Sequence, residues 1–242
     1  MSLGMFQAIP LPAHQWDEAC MDLMLPCFPL VGILLGVVWW SAAELLVFLG
    51  APVMLSAALL AVLPFFLSGF LHLDGFLDAS DAILSRRPLE DKLRILKDPH
   101  LGAFAAVMLA VLFLLQFAAM AAIVEAGKNF VLMLFIAVHS RCCSSIAIFR
   151  LKALPQSVYA KMLKQNTKLS HTAFTAAVAL GAAVLSCLLT GVNGLVVSAA
   201  VILGFSGAMT CSYKEFKGVS GDLTGFSLVT GELCGLMALA VL

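Results

Sequence analysis

The sequence predicts an all-α protein, a polytopic membrane bundle of about seven transmembrane helices, and three observations predict it. Hydrophobic residues make up 62% of the 242 positions and charged residues 12%, against about 25% charged in a soluble domain, with a mean hydropathy of +1.04. The apolar residues gather into runs of about 20, the length that crosses a bilayer. Nearly all basic residues fall in alternate connections between those runs. Lysine plus arginine and aspartate plus glutamate number 14 each, so the chain lacks the basic stripe that grips nucleic acid.

A single integral membrane domain is expected over residues 1–242. Residues 1–27 form an N-terminal interfacial segment, in which Trp16, Met21, Leu23 and Met24 alternate with Asp17, Glu18 and Asp22. A short helix over 13–25, lying in the membrane surface, suits that mixture. No basic region followed by an apolar core and a cleavage site marks a signal peptide. The first run, 30–49, follows Pro26 and Pro29 and is broken only by Glu44, and Gly50, Ala51 and Pro52 then turn the chain. The second run covers 53–73, the third 102–124 and the fourth 130–149, which contains His139 and Arg141. The fifth covers 172–190, the sixth 194–211 and the last 223–242. The seven cysteines are odd in number, lack a CxxC pair and lie mostly inside these runs. They read as reduced, buried thiols, not as a disulfide frame or a zinc site.

The basic residues orient the bundle. Arg86, Arg87, Lys92, Arg94 and Lys97 follow the second run, Arg150, Lys152, Lys161, Lys164 and Lys168 the fourth, and Lys214 and Lys217 the sixth. Only Arg141 and Lys128 stand elsewhere. By the positive-inside rule these three loops and the N-terminus are cytoplasmic.

The chemistry concentrates in residues 72–100, an acidic motif followed by an amphipathic helix. Asp74, Asp78 and Asp81 are spaced four and three apart, so a helix carries them within about 60 degrees of arc. Three carboxylates cannot face lipid, where each costs about 2.5 to 3.5 kcal/mol. A shared acidic face suits a hard divalent cation, and Mg2+ is the usual ion where phosphate oxygens complete the shell. His72 projects to the opposite side of a continuous helix. Either a break at Gly75 brings it round, or it is an interfacial histidine without a chemical role. Pro88 opens a helix in which Leu89, Leu93 and Leu96 recur at helical spacing, and Pro99 stops it.

A second constellation runs from Lys217 through Gly218, Ser220, Gly221 and Asp222 to Gly225, glycine-rich enough for backbone to approach a ligand. Lys97 and Asp98 form the third piece. All three fall on one predicted membrane face, combining acid for metal with base for phosphate. Within the membrane, Glu44, His139, Arg141 and Glu232 read as an ion path, or Arg141 as an anion contact in a cytoplasm-open cavity. The GxxxG spacings Gly32/Gly36 and Gly231/Gly235 read as close helix packing.

These stretches together resemble one family. An early IPLP, then FPLVGILLG, HLDGFLDASDA, KLRILKDPHLGAF and GVSGDLTG are similar, in order and over nearly the whole chain, to the cobalamin synthase family, the adenosylcobinamide-GDP ribazoletransferases. Pro99 and His100 stand where that family usually has Ser-Arg, and Ser220 where Thr is common, so no role is assigned to His100. The resemblance implies a Mg2+-dependent membrane transferase that joins adenosylcobinamide-GDP to alpha-ribazole or its 5'-phosphate and releases GMP. It implies Asp74, Asp78, Asp81 and Asp222 as metal ligands, and Asp98 or His72 as the base for the attacking hydroxyl. Arg94, Lys97, Arg141, Lys217 and Gly221 then contact substrate. The expected partners are the two substrates and the lipid bilayer, and not nucleic acid; a homo-oligomer is left open.

Two other readings compete. A CDP-alcohol phosphotransferase would carry an Asp three residues before the DG pair and an Ala-Arg pair after it, but Leu71 occupies the first position and no Ala-Arg follows Gly75. An ion-coupled transporter would place its decisive charges at mid-membrane in an inverted repeat, and no repeat is evident.

Overall fold

The protein is described here by a computed structural model covering residues 2–8, 18–157, 160–162 and 167–242. Its helices are α1 (Ser2–Met5), α2 (Phe28–Phe48), α3 (Val53–Leu67), α4 (Leu71–Leu84), α5 (Leu89–Ile95), α6 (Ala103–Glu125), α7 (Leu132–Arg150), α8 (Leu169–Thr190), α9 (Val192–Phe216) and α10 (Gly221–Val241), with a 3-10 helix at Glu18–Leu23. Extended pairing among the described residues is limited to an isolated bridge between Ala153 and Val219. Six helices, α2 and α6 to α10, are long and apolar enough to cross a membrane, and the bent pair α3–α4 makes a seventh at most. Of the interfacial helix expected over 13–25, the described part is the 3-10 helix. Residues 13–17, the IPLP motif at 9–12 and Lys164 lie outside the described residues.

The second run departs from expectation. It does not continue straight into the aspartates: the chain breaks after Leu67, and α4 leaves α3 at 94°. Gly69 and Phe70 both take left-handed backbone, at φ 60° and 61°. Glycine adopts this freely, while Phe70 does so at a cost offset by its ring packing edge-on against Phe66, with centroids 4.9 Å apart. The Ala8 amide donates to the Leu67 carbonyl at 2.8 Å, tying the N-terminal segment to the break. The 15 residues of α3 span about 22 Å, short of the roughly 30 Å of bilayer hydrocarbon. The acidic helix α4 therefore turns aside across the end of the bundle.

The buried strut of the bundle is α7, against which α2, α8, α9 and α10 all pack. A Cβ on Gly32 would sit 2.7 Å from the Ala137 carbonyl oxygen, and one on Gly36 2.7 Å from Leu134 Cα. The first GxxxG pair thus lets α2 lie backbone to backbone on α7, as its spacing predicts. Likewise a Cβ on Gly231 would lie 3.0 Å from the Val201 carbonyl oxygen of α9. The six described free cysteines are unbridged, but burial departs from expectation: Cys142 is buried, Cys27, Cys143, Cys187 and Cys234 are partly exposed, and Cys211 is exposed.

The basic connections meet at one end. The Val219 amide donates to the Lys152 carbonyl at 2.8 Å, and the Leu154 amide to the Val219 carbonyl at 2.9 Å. Lys92 of α5, buried along its stem, pairs with Glu215 near the end of α9. These ties draw the loops after α4, α7 and α9 around the acidic helix.

Candidate active site

The site is built where α4 crosses the first turn of α10, and glycine makes the crossing possible. A Cβ on Gly75 would fall 2.8 Å from both the Cα and the carbonyl oxygen of Asp222, and one on Gly225 3.2 Å from the His72 carbonyl oxygen. Phe76 and Phe226 stack beside the crossing with ring centroids 5.5 Å apart. Ser220 caps α10, its hydroxyl accepting from the Leu223 amide at 3.3 Å and donating to Asp222 Oδ2 at 3.3 Å. HLDG and GDxxG, 147 residues apart as counted from Asp74 to Gly221, are one contact.

Asp74 borders two hollows. One is a crevice of about 420 Å³ between α4 and residues 96–101, lined by Asp74, Asp78, Lys97, Asp98 and His100 among others. The other is a mostly apolar cavity of about 400 Å³ that Asp74 shares with Asp222, Gly221 and His72. Among the described residues neither Asp74 nor Asp78 has a cation partner. Partial burial, then the charges of Asp74, Asp222 and Asp81, push the Asp78 carboxyl up to about 7. The four acids therefore feel one another, and no Lys or Arg among the described residues neutralises the Asp74–Asp78 pair.

Asp81 is placed differently from its two neighbours. Its Oδ1 accepts from the amides of Phe104 at 3.2 Å and Ala105 at 3.4 Å, so it caps the N-terminus of α6 from another helix. A Cβ on Gly102 would fall 2.1 Å from its Oδ2, which explains the glycine four residues after Asp98. Asp81 borders a separate crevice with Arg87 and Phe104.

His72 does not need a break at Gly75, because α4 is continuous from Leu71 to Leu84. It lies on the buried face, and burial, then the charge of Arg141, hold its imidazole down to about 3. It is neutral, and its Nε2 has no hydrogen-bond partner among the described residues.

Asp98 accepts from the backbone amide of His100 at 3.0 Å and lies 2.7 Å from its Nδ1. The side-chain hydrogen bond from His100 holds the Asp98 carboxyl below its ordinary value. His100, left without a role by the sequence, is thus the partner of Asp98 on the crevice wall. Its signal was the departure from the usual Ser-Arg pair.

The expected substrate contacts divide. Lys97 is exposed on the crevice, and Lys217, also exposed, ends α9 in left-handed backbone at φ 59°. Gly221 opens α10 at the cavity, with nothing within 4 Å of where a Cβ would stand. Arg94 lies 3.3 Å from Asp91 on its own helix. Arg141, only 2% exposed, is paired inside the bundle with Glu232 and donates to Ser140 Oγ at 2.9 Å. The structure therefore groups Asp74, Asp78, Asp222, Lys97, Asp98 and His72 about two adjoining hollows, and leaves Arg94 and Arg141 engaged elsewhere.

The remaining intramembrane polar groups do not read as a relay. Glu44 accepts from Trp40 Nε1 at 2.9 Å on the outside of α2, and His139 Nδ1 lies 2.7 Å from the Phe135 carbonyl oxygen.

No three His, Cys, Asp or Glu side chains among the described residues converge closely enough to enclose a metal ion by themselves. The donor chemistry still fits Mg2+, which keeps several waters and is held through one or two carboxylates plus substrate phosphates. Asp74 and Asp78 offer that minimum without a competing cation.

The fold and site are those of a helical membrane protein with a carboxylate-rich cleft at one end, bordered by exposed lysine. Residues 1–240 match the family model described as Cobalamin-5-phosphate synthase. The chain is 36% identical to the adenosylcobinamide-GDP ribazoletransferase of Clostridium botulinum strain Alaska E43, over 98% of this chain and 94% of that one. It is 37% identical to the protein of the same name from Clostridium perfringens, over 100% and 96%, and 35% identical to that of Pseudomonas putida, over 91% and 88%. No solved structure matches it. The chain belongs to the cobalamin-5-phosphate synthase family, transferases of cobalamin synthesis.

Proposed function

We propose that the protein joins adenosylcobinamide-GDP to alpha-ribazole or its 5'-phosphate, releasing GMP, and that the two hollows meeting at Asp74 hold the two reactants. The observation that carries this is the uncompensated pair Asp74 and Asp78 on the wall of the Lys97 crevice. A ribose hydroxyl oxygen bonds to the phosphorus that carries the cobinamide, the bridging P–O bond to the guanylate breaks, and the proton leaves the hydroxyl. Asp74 and Asp78 would hold Mg2+, with Asp222 beside Asp74 at the cavity rim and Asp81 given over to capping α6. When bound, the ion would supply charge neutralisation on the pyrophosphate and its leaving group.

The chain's own residues do the rest. Lys97 and Lys217 draw the pyrophosphate to the crevice as point charges. Asp98, hydrogen-bonded to His100, holds the imidazole on the crevice wall, where it takes the hydroxyl proton. The site faces the cytoplasm of a prokaryotic plasma membrane, because the loops after α4, α7 and α9 gather the basic residues around it.

The test is turnover by the full-length protein in lipid nanodiscs supplied with adenosylcobinamide-GDP, either ribazole form and Mg2+, with GMP measured by chromatography. GMP release that EDTA abolishes and Mg2+ restores is expected. Release that survives EDTA would remove the metal, and absence of release would remove the reaction.

A further inference from the structure

The apolar cavity is one of the two hollows given above to the reactants, and its lining shows a built site. It is walled by Phe6 from the N-terminal segment, Phe28 of α2, Leu71 of α4, Ile148 of α7 and Leu228 of α10. Phe6 and Phe28 pack with ring centroids 4.5 Å apart, and Phe28 meets the His72 ring edge-on at 5.9 Å. One wall is thus a run of three aromatic rings. Two lining residues, His72 and Ser144, are buried and leave His72 Nε2 and Ser144 Oγ without a hydrogen-bond partner. Buried polar atoms are normally paired, so two orphans at one cavity mark groups that a ligand satisfies. At about 400 Å³ the cavity lies within the roughly 300–1,000 Å³ of small-ligand sites.

Resting on the transfer reaction proposed above, we infer that this cavity binds the acceptor nucleoside, taking its flat apolar heteroaromatic base against Phe6 and Phe28 and its polar atoms at His72 Nε2 and Ser144 Oγ. Three alternative occupants fit less well. The donor's guanine has donors and acceptors around its whole edge and would bury most of them against carbon. The corrin macrocycle is far larger than the cavity. A lipid chain would leave both orphan atoms unpaired and has no use for a wall of rings. The rim points the same way: Asp74 borders both hollows, so a nucleoside seated with its base inward brings its ribose to the edge of the crevice where the pyrophosphate binds. Ordering of Phe6 follows from two anchors, Ser2 Oγ donating to the Met24 carbonyl at 2.7 Å and the Ala8 amide donating to Leu67 at 2.8 Å.

The test separates binding from turnover. Full-length protein in nanodiscs, without donor nucleotide or metal, is titrated with alpha-ribazole by calorimetry, with GMP and fatty acid as competitors. Ile148→Phe narrows the cavity, and Ser144→Ala removes one orphan atom with little risk to folding. Wild type binds alpha-ribazole; Ile148→Phe weakens binding about tenfold or more and Ser144→Ala about fivefold. In turnover each variant raises KM for ribazole by its factor and leaves KM for adenosylcobinamide-GDP unchanged. Ribazole affinity unchanged in both variants, no ribazole binding by wild type, or displacement of ribazole by GMP or fatty acid overturns the pocket. If ribazole binds wild type, the variants weaken it, and no GMP is ever released, the pocket stands and the transfer reaction falls.

Discussion

Gly75 and Asp222 touch through their backbones: a Cβ on Gly75 would lie 2.8 Å from Asp222 Cα. That contact carries α10 onto α4 and sets Asp222 beside Asp74 at the cavity rim. The neighbouring atoms are main chain, so an added methyl can be accommodated only by moving a helix. Gly75→Ala is expected to lower kcat about 100-fold, the scale of an ångström-level misplacement of reacting groups, while stability drops by about 1–3 kcal/mol, the usual cost of overpacking. Gly225→Ala, facing the His72 carbonyl oxygen at 3.2 Å, should do the same more weakly. Kinetics with a thermal melt on each variant check both; unchanged kcat in Gly75→Ala would separate Asp222 from the reaction.

Asp81 supplies the second prediction. Its carboxylate accepts from the Phe104 and Ala105 amides, a job that an amide oxygen also does. Asp81→Ala should cost about 1 kcal/mol of stability, whereas Asp81→Asn should keep most of it and most of the activity. A metal ligand would show the opposite pattern, with Asn as damaging to turnover as Ala. Gly102→Ala should resemble Asp81→Ala, because the new Cβ falls where the carboxylate sits.

The bundle, its basic face and the acidic helix were legible in the sequence because each leaves a one-dimensional trace. Runs of apolar residues report spans, alternate loops report charge, and a 4-3 spacing reports a helix face. What stayed hidden depends on contacts between distant segments. The 94° turn after Leu67 falls inside a run whose hydropathy does not change, and its only local marks are Ser68 and Gly69. Spacing alone assigned three aspartates one job, although the third faces the N-terminus of α6. Arg141 was open to two uses until Glu232, 91 residues away, was found against it. Ser144 and Phe28 look like any membrane-helix residues until they line one cavity.

The Arg141–Glu232 pair is buried, at 2% and 9% side-chain exposure. Removing one member leaves an uncompensated charge, so Glu232→Leu should destabilise the protein by about 3–5 kcal/mol, and the double variant Arg141→Leu with Glu232→Leu should recover much of that loss. Thermal melts of the two single variants and the double variant in nanodiscs measure this. If Arg141 instead held the donor's phosphates, Arg141→Lys would raise KM for adenosylcobinamide-GDP with an unchanged melt.

Asp98 and His100 divide the handling of the proton. His100→Ala should lower kcat about 100-fold, within the usual range for a general base. Asp98→Asn should lower kcat less, because the imidazole remains and only its orientation is loosened. Steady-state kinetics on both variants check this, and a His100→Ala variant with wild-type kcat would return the proton to another group.

Asp78 links the site to pH, and the sign is opposite to that of a salt-bridged carboxylate. Its folded-state pKa is raised from 3.8 to about 7, so the fold disfavours the charged form. Without metal, Asp78 gives its full contribution at low pH and loses it as pH rises from about 4 to about 7. A divalent cation needs the carboxylate and must displace this proton below pH 7. The rise in melting temperature caused by Mg2+ should therefore be small near pH 5.5, grow through pH 7 and level off by about pH 8. In Asp78→Asn the rise should be smaller and independent of pH over the same interval. Melts at fixed Mg2+ across that range are the measurement, and a rise in wild type that ignores pH would take Asp78 out of the cation's shell.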